Sequence, residues 1–321
     1  PLWSRGLGDV YKRQVQDLNK ITRQLNNHPE NTIQFSSYFL NIDGNKTNFD
    51  SFCIELKRIE HIFPVIGLAE TNVDPELKNL YQIPGYNSFY QSVVSHKSKG
   101  TGVALYVHEN FNAVIIEELS FCNDDIETLF VKISQPSSSM TLVTGVIYRS
   151  PSGNETNFLH KFENICNILP QSGVRILGDY NFDFLQMKSN TNRASQFEDH
   201  FLSNALAPVI SIPTHKRYNC QPSCIDNILT NDTDKIMLSG TITDSIGEHM
   251  PVFELSHIYF ENDCKTAKQV KHYDYSNANL NKFITQLEID LTTLTVSEDF
   301  SQFTNLFTSA LDATCKLERP K

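Results

Sequence analysis

Residues 174–185 read VRILGDYNFDFL. Val174, Ile176 and Leu177 give the opening a strand-forming composition, and Gly178-Asp179-Tyr180-Asn181 follows at its end. Alternate side chains on a strand share a face, which would aim Asp179 and Asn181 in one direction beside a glycine that permits close approach. An Asp in such a place accepts a proton or holds a metal, and an Asn two positions on orients a nucleophile or a phosphate oxygen. Read alone, the same four residues fit a strand-end turn better than a site.

The neighbouring text has the same texture. IQFSSYFLNI, VIGLAET, GVALYV, AVIIEEL, TLFVKI, TLVTGVIY, KIMLSGTI and VFELSHIYF are short, apolar and rich in β-branched or aromatic residues, and turn residues bound most of them. Three helical patterns interrupt them. The first carries Phe49, Phe52, Leu56 and Ile59, with Thr47 or Asn48 as the N-cap. The second carries Phe158, Phe162, Ile165 and Leu169 and stops at Pro170, and the third covers Ala194 to Leu206. Strands outnumber helices and do not alternate with them, so the expected class is an α+β sandwich with helices outside the sheets.

Bulk properties set the limits. The chain has 321 residues, 40% of them hydrophobic and 20% charged, enough to bury a large core without staples. No apolar run is long enough to span a membrane, and no signal peptide is visible. Seven scattered cysteines point to a reducing compartment, so an intracellular location, nuclear or cytoplasmic, is expected rather than secretion. A formal net charge of -10 argues against a broad basic nucleic-acid platform and for weak non-specific DNA affinity, yet it suits a site built of carboxylates around a divalent metal.

Residues 1–14, PLWSRGLGDVYKRQ, read as a translated cDNA-library adapter and are set aside from fold reasoning, Trp3 with them. Residues 15–31 hold a short amphipathic helix (Val15, Leu18, Ile21, Leu25) and a polar stretch. The main domain covers 32–260, and 261–321 reads as a polar linker with helices.

Further polar residues stand at strand ends. Asn41 follows FL in FLNIDGN, and Glu70 ends VIGLAE, where a carboxylate is a plausible Mg²⁺ ligand. Tyr148 and Arg149 in VIYRSPSG offer a hydroxyl and a guanidinium to phosphate oxygens. A buried Asp226, in SCIDNILTN, beside His249, in IGEHMPV, would fix the imidazole tautomer and stabilise its charged form. His215, Cys220 and Cys224 give a spacing too loose, with one ligand too few, for a zinc site. Each of these residues alone is also compatible with turn or packing chemistry.

Their order is more specific. Asn41, Glu70, Tyr148, Asp179, Asn181, Asp226 and His249 run in the order of the endonuclease/exonuclease/phosphatase superfamily, which the chain resembles from Ser36 to Leu255. GTGVALYV resembles that family's glycine-rich strand, and ILGDYNFDFL and SCIDNILTN resemble the endonuclease domains of non-LTR (LINE-type) retrotransposon polyproteins. The resemblance implies a DNase I-like four-layer sandwich of two mixed sheets packed face to face. It also implies Mg²⁺-dependent phosphodiester hydrolysis, with Mn²⁺ as a substitute, that nicks double-stranded DNA and leaves a 3′-hydroxyl to prime reverse transcription. In that scheme Glu70, Asn41 and Glu248 form the metal shell, Asp179 and Asn181 handle the attacking water, His249 held by Asp226 stabilises the transition state, and Tyr148 braces the phosphate. The implied partner is a reverse transcriptase domain of the same polyprotein, toward which 261–321 would lead.

One motif departs. The family's Ser-Asp-His is Gly247-Glu248-His249 here, and a carboxylate displaced by about an ångström costs on the order of 10²-fold in rate. The competing expectations are therefore a decayed, non-enzymatic remnant of the same fold and a cousin phosphatase or exonuclease. The basic, aromatic stretch between Pro213 and Pro222, with His215, Lys216, Arg217 and Tyr218, is the expected DNA-contact loop together with Arg149.

Overall fold

The computed structural model describes residues 32–59, 61–74, 76–92, 101–135, 138, 140–187, 192–217, 220–242, 247–261, 277–291, 306–307, 309–311 and 313–315. The adapter-like segment, the helix expected within 15–27, Tyr218 and the polar stretch 262–276 lie outside the described residues. The chain divides into two compact units, Pro1–Asp263 and Cys264–Lys321. In the second, a helix at Asn277–Leu291 packs Phe283 edge-on against Phe307 at 5.1 Å.

In the first unit, strands β1 (Thr32–Asn41), β2 (Val65–Ala69), β3 (Tyr86–Gln91), β4 (Val103–His108), β12 (Ile236–Thr241) and β13 (Val252–Glu261) form one sheet in the order β12-β13-β1-β2-β4-β3. The second sheet runs β10-β11-β9-β8-β7-β5 and contains β5 (Asn112–Ile115), β6 (Phe121–Cys122, paired to β7), β7 (Ile126–Ser134), β8 (Thr141–Arg149), β9 (Val174–Asp179), β10 (Ala207–Pro208) and β11 (Asp226–Thr230). Both sheets are mixed: β1 pairs parallel with β2, and β8 parallel with β9, while the other ladders are antiparallel.

Period-2 alternation sorts the side chains into layers. Phe35 and Phe39 of β1, Leu129, Val131 and Ile133 of β7, and Leu177 of β9 fill the space between the sheets. Their neighbours in sequence point outward. Tyr38 and Leu40 meet helix α1 (Asn45–Arg58), and Phe130, Ile147 and Ile176 meet α2 (Glu155–Ile168) and α3 (Asn192–Ser203). The result is the four-layer α/β/β/α sandwich that the sequence leads one to expect.

The helices show how far local signals reach. Asn154 caps α2, its side-chain oxygen accepting from the Thr156 and Asn157 amides, and the helix ends just before Pro170, whose ring and missing N–H forbid another turn. Helix α1 differs from the expected start at Thr47 or Asn48. It begins at Asn45 behind Gly44, and the Asn48 amide donates to the Ile42 and Asp43 carbonyls, satisfying the chain that enters the helix. AVIIEEL is a strand only to Ile115, after which Glu117–Leu119 turns as a 3-10 helix. The third helix starts two residues before the expected Ala194 and ends at Ser203.

Phe197 on α3 holds the outer layer of the second sheet together. Its ring lies within 6.0 Å of the rings of Phe158, Phe162, Tyr180, Phe182, Phe184 and Phe201. Three of those six, Tyr180, Phe182 and Phe184, belong to the loop that follows β9, so the packing of a helix fixes the backbone just beyond Asp179. Phe197→Ala is expected to lower stability by about 3–5 kcal/mol, read as a shifted denaturant midpoint at unchanged slope. A loss below about 1 kcal/mol would show that the aromatic cluster does not anchor this layer.

Candidate functional site

The register of the second sheet draws one line across five strands. Cys122 pairs with Glu127, Glu127 with Tyr148, Tyr148 with Asp179, and Asp179 with Asp226. Four of these carry carboxyl or hydroxyl groups that are nearly or wholly buried: Glu127, Tyr148, Asp179 and Asp226. The first sheet meets this row with Asn41, the last residue of β1, and with Glu70, the residue after β2, because β1 and β2 run parallel and end together.

Asn41 joins the two sheets. Its Nδ2 donates to Glu70 Oε1 at 2.8 Å and to Asp179 Oδ2 at 2.9 Å, while its Oδ1 accepts from the Asp43 amide. The single amide is therefore fixed at both ends, and it sets two carboxylates on either side of one nitrogen. Burial together with the charges of Glu70 and Asp179 keeps the Tyr148 hydroxyl protonated far above its usual range. Burial and the charge of Asp226 raise the Asp179 carboxyl well above an ordinary aspartate, with the His249 charge and the Asn41 hydrogen bond opposing them.

His249 closes the other side. Its Nδ1 lies 3.0 and 3.1 Å from the two oxygens of Asp226, and Thr214 Oγ1 donates to Asp226 Oδ2 at 2.7 Å. The same Thr214 oxygen accepts from the Ile225 and Asp226 amides, so Asp226 cannot swing away from the ring. Burial opposes the charged imidazole, but Asp226, Asp179 and Glu70 outweigh it and bring the His249 pKa up to about 9. His215 stacks beside it at 4.6 Å and is held the other way, toward the neutral form, by burial and by the His249 charge.

Asn41, Glu70, Tyr148, Asp179, Asp226 and His249 thus converge. Asn181 comes by a different route from the one alternation implies. The strand ends at Asp179 and Asn181 is left-handed, φ 51°, with its amide N–H on Asp179 Oδ1 and its Nδ2 on the Arg149 carbonyl. Three expected site residues face elsewhere. The Glu248 carboxylate is half exposed and lies 2.6 Å from Arg217 Nε and 3.6 Å from His215 Nε2. Arg149 is buried, donates to the Tyr180 and Asn181 carbonyls, and lies over the Phe182 ring at 4.3 Å. His215 packs on His249 rather than standing out for DNA, whereas Lys216 and Arg217 are exposed. Thr214 and Glu127 were missed, because a lone Thr in a loop and a lone Glu in an apolar strand carry no spacing signal.

A family model and several solved structures agree with this fold. Residues 142–253 match the family model described as Endonuclease-reverse transcriptase. Among solved structures, the endonuclease domain of TRAS1, a telomere-specific non-LTR retrotransposon, superposes with a TM-score of 0.56 at 15% identity, over 70% of this chain and 98% of that one. This is an endonuclease/exonuclease/phosphatase fold. The AP endonuclease LMAP from Leishmania major gives 0.55 at 13% identity, over 77% of this chain and 94% of its own. An endonuclease/exonuclease/phosphatase family protein from Bacteroides thetaiotaomicron gives 0.52 at 14%, over 70% and 97%. No curated protein sequence matches the chain. Among the described residues, no helix is long and apolar enough to cross a membrane.

The residues gathered at this rim suit a hard divalent cation. Ligand atoms of Asp179, Asp226 and His249 lie within 4.8 Å of one another, and Glu70 shares the Asn41 amide with Asp179. The donor set is rich in oxygen, and burial first and the charge of Asp226 second raise the Asp179 carboxyl.

The metal-free protein offers a direct check. His249 should titrate by NMR near 9 rather than near 6.5, and Asp226→Asn should lower that value. Because the folded value is raised, its contribution to stability is complete below about 6.5 and disappears as pH rises through about 9. An unshifted histidine would mean that the Asp226 pair does not form.

Proposed function

We propose that residues 32–260 form a divalent-metal-dependent phosphodiesterase that nicks double-stranded DNA and leaves a 3′-hydroxyl. The observation that carries this reading is the convergence of Asn41, Glu70, Tyr148, Asp179, Asp226 and His249 at one rim of an endonuclease/exonuclease/phosphatase fold. The Endonuclease-reverse transcriptase match over 142–253 favours a retrotransposon setting, in which the freed 3′-end primes a reverse transcriptase domain of the same polyprotein.

The chemistry follows from the protonation states. Asp179, buried and raised toward neutrality, is suited to take a proton from the attacking water. Asn181, with Nδ2 anchored on the Arg149 carbonyl, holds its amide plane fixed for orienting that water. His249, kept charged by Asp226, donates toward the oxygens on which negative charge grows. The Tyr148 hydroxyl stays protonated and positions Glu70 and the phosphate. Mg²⁺, or Mn²⁺ in its place, would be held by Glu70 with Asn41 and would supply polarisation of the phosphate and neutralisation of the leaving oxygen. Lys216 and Arg217 stand exposed on the Pro213–Pro222 loop and would meet the DNA backbone.

The departure at Gly247-Glu248 weighs less than the sequence implies. The Glu248 carboxylate faces Arg217 rather than the carboxylate cluster, so the added methylene displaces nothing that the cluster uses. An active enzyme is therefore favoured over a decayed remnant.

Supercoiled plasmid with Mg²⁺ tests this. The parent protein should convert it to open circles, Glu70→Ala should lose at least about 10²-fold, and Glu248→Ala should stay within about 3-fold of the parent, since an exposed ion pair contributes little. Folded parent protein that leaves plasmid intact yet hydrolyses an inositol phosphate would replace the nuclease with a phosphatase, and inactivity on both would leave a non-enzymatic remnant. Loss of nicking in Glu248→Ala would restore Glu248 to the metal shell.

A further inference from the structure

Glu127 lies in the polar row but has no part in the chemistry just described. It stands on β7 between Cys122 and Tyr148 and is buried. Its Oε2 accepts the Gly102 amide at 2.5 Å, a bond from the second sheet to the first. Gly102 sits at φ 93° just ahead of β4, one residue beyond the last register pairs of β4 with β2 and β3. A side chain there would strike Thr71 Oγ1, so glycine is required for the close approach.

What Gly102 touches next is the turn that carries Glu70. The Gly102 carbonyl accepts the Thr71 amide at 3.0 Å, the Thr101 carbonyl accepts the Asn72 amide at 2.7 Å, and the Thr101 amide donates to Asn72 Oδ1 at 3.0 Å. On its other flank the same turn is bonded to the start of α1, through Gly44 N to the Glu70 carbonyl and Asn45 N to the Thr71 carbonyl, both 2.8 Å. Glu70 and Asn72 both hold left-handed backbone, at φ 51° and 49°, a conformation that non-glycine residues keep only when their surroundings impose it. Glu127 is thus the strut by which the second sheet fixes the 101–102 segment, and through it the Glu70 turn.

We infer that Glu127 is a positioning residue for the cation site: by accepting the Gly102 amide it sets the Glu70 turn, and hence the Glu70 carboxylate, at the distance from Asp179 that a divalent cation needs. Reach matters here more than charge. Glutamine keeps the reach and an acceptor oxygen. Aspartate keeps the charge but withdraws the acceptor by about the length of one methylene, roughly 1.5 Å, and strands a buried donor.

The inference rests on the metal-dependent reading above, and the test separates the two. The full chain and its Glu127→Gln and Glu127→Asp variants are titrated with Mn²⁺ by calorimetry. Plasmid nicking, the melting temperature of each metal-free protein and the hydrogen exchange of the Gly102 amide are measured alongside. Glu127→Gln should bind Mn²⁺ within about 3-fold of the parent and keep the Gly102 amide protected. Glu127→Asp should bind about 10–100-fold more weakly, as loss of a residue that orients a ligand does, with a correspondingly higher Mn²⁺ requirement for nicking and faster exchange at Gly102. Ile133→Ala, on the same strand and facing the same interior, is the control: it should lower the melting temperature without moving Mn²⁺ affinity. Equal affinity in parent and Glu127→Asp overturns the inference alone, as does weakened binding in Glu127→Gln with Glu127→Asp intact, which would assign the effect to charge. Weakening by Ile133→Ala comparable to that by Glu127→Asp overturns it too, since general loosening would then suffice. A parent that binds no Mn²⁺ overturns both this inference and the metal-dependent function.

Discussion

Four carboxyl groups, Glu70, Glu127, Asp179 and Asp226, crowd one end of the space between two sheets, and their mutual repulsion is the constraint around which the rest is arranged. Each has a partner supplied by a different element. Asn41 bridges Glu70 and Asp179, Gly102 donates to Glu127, and Thr214 and His249 share Asp226. None of these donors is a lysine or arginine, and among the described residues the cation in direct contact is an imidazolium whose pKa the carboxylates raise. Neutral donors hold the acids in place without cancelling their charge, which leaves the cluster ready for a cation.

Such an arrangement needs rigid supports, and the sandwich provides them. Below the polar row lie Phe39, Leu129, Val146 and Leu177, which separate the two sheets with close-packed apolar side chains. Farther along β9 from Asp179, Arg175 is wholly buried, bonded to Thr230 Oγ1 and 3.4 Å from Glu254 Oε1 on the opposite sheet, while Ser37 donates to the same Glu254 oxygen. The interior is therefore apolar in its middle and polar toward both ends. At one end the charges are paired among protein groups, and at the other the acids outnumber their cationic partners. Burial still holds the Glu254 carboxyl above its ordinary range despite Arg175, so this pair contributes to register between the sheets more than to net stability.

Much of this was legible in the sequence, and the failures have physical causes. Runs such as TLVTGVIY and VRILGDY announce themselves because both faces of the strand are buried and nearly every residue is apolar. β3 escaped notice because it is a half-exposed edge strand, YNSFYQ, and β11 because Asp226, Asn227 and Thr230 make most of a fully buried strand polar. The site residues were found through their order along the chain, yet order says nothing about direction. Arg149 and Glu248 stand beside Tyr148 and His249 in sequence and face elsewhere, one anchoring the loop after β9 and the other meeting Arg217. Glu127 and Thr214 were invisible because their importance lies in one long-range hydrogen bond each, from β7 to Gly102 and from a loop to Asp226.

The row that joins Cys122, Glu127, Tyr148, Asp179 and Asp226 crosses five strands, and its counterparts on the other sheet begin at Asn41 and close with His249. No two neighbouring strands of the row are enough to make it. β1 pairs with both β2 and β13, so the first strand in the chain finds one of its partners only after nearly the whole domain has been synthesised. Contacts of such long sequence separation fold slowly and all together. A chain interrupted just after β12 would therefore carry every carboxylate of the cluster and still lack His249, the group that holds Asp226 from the other side.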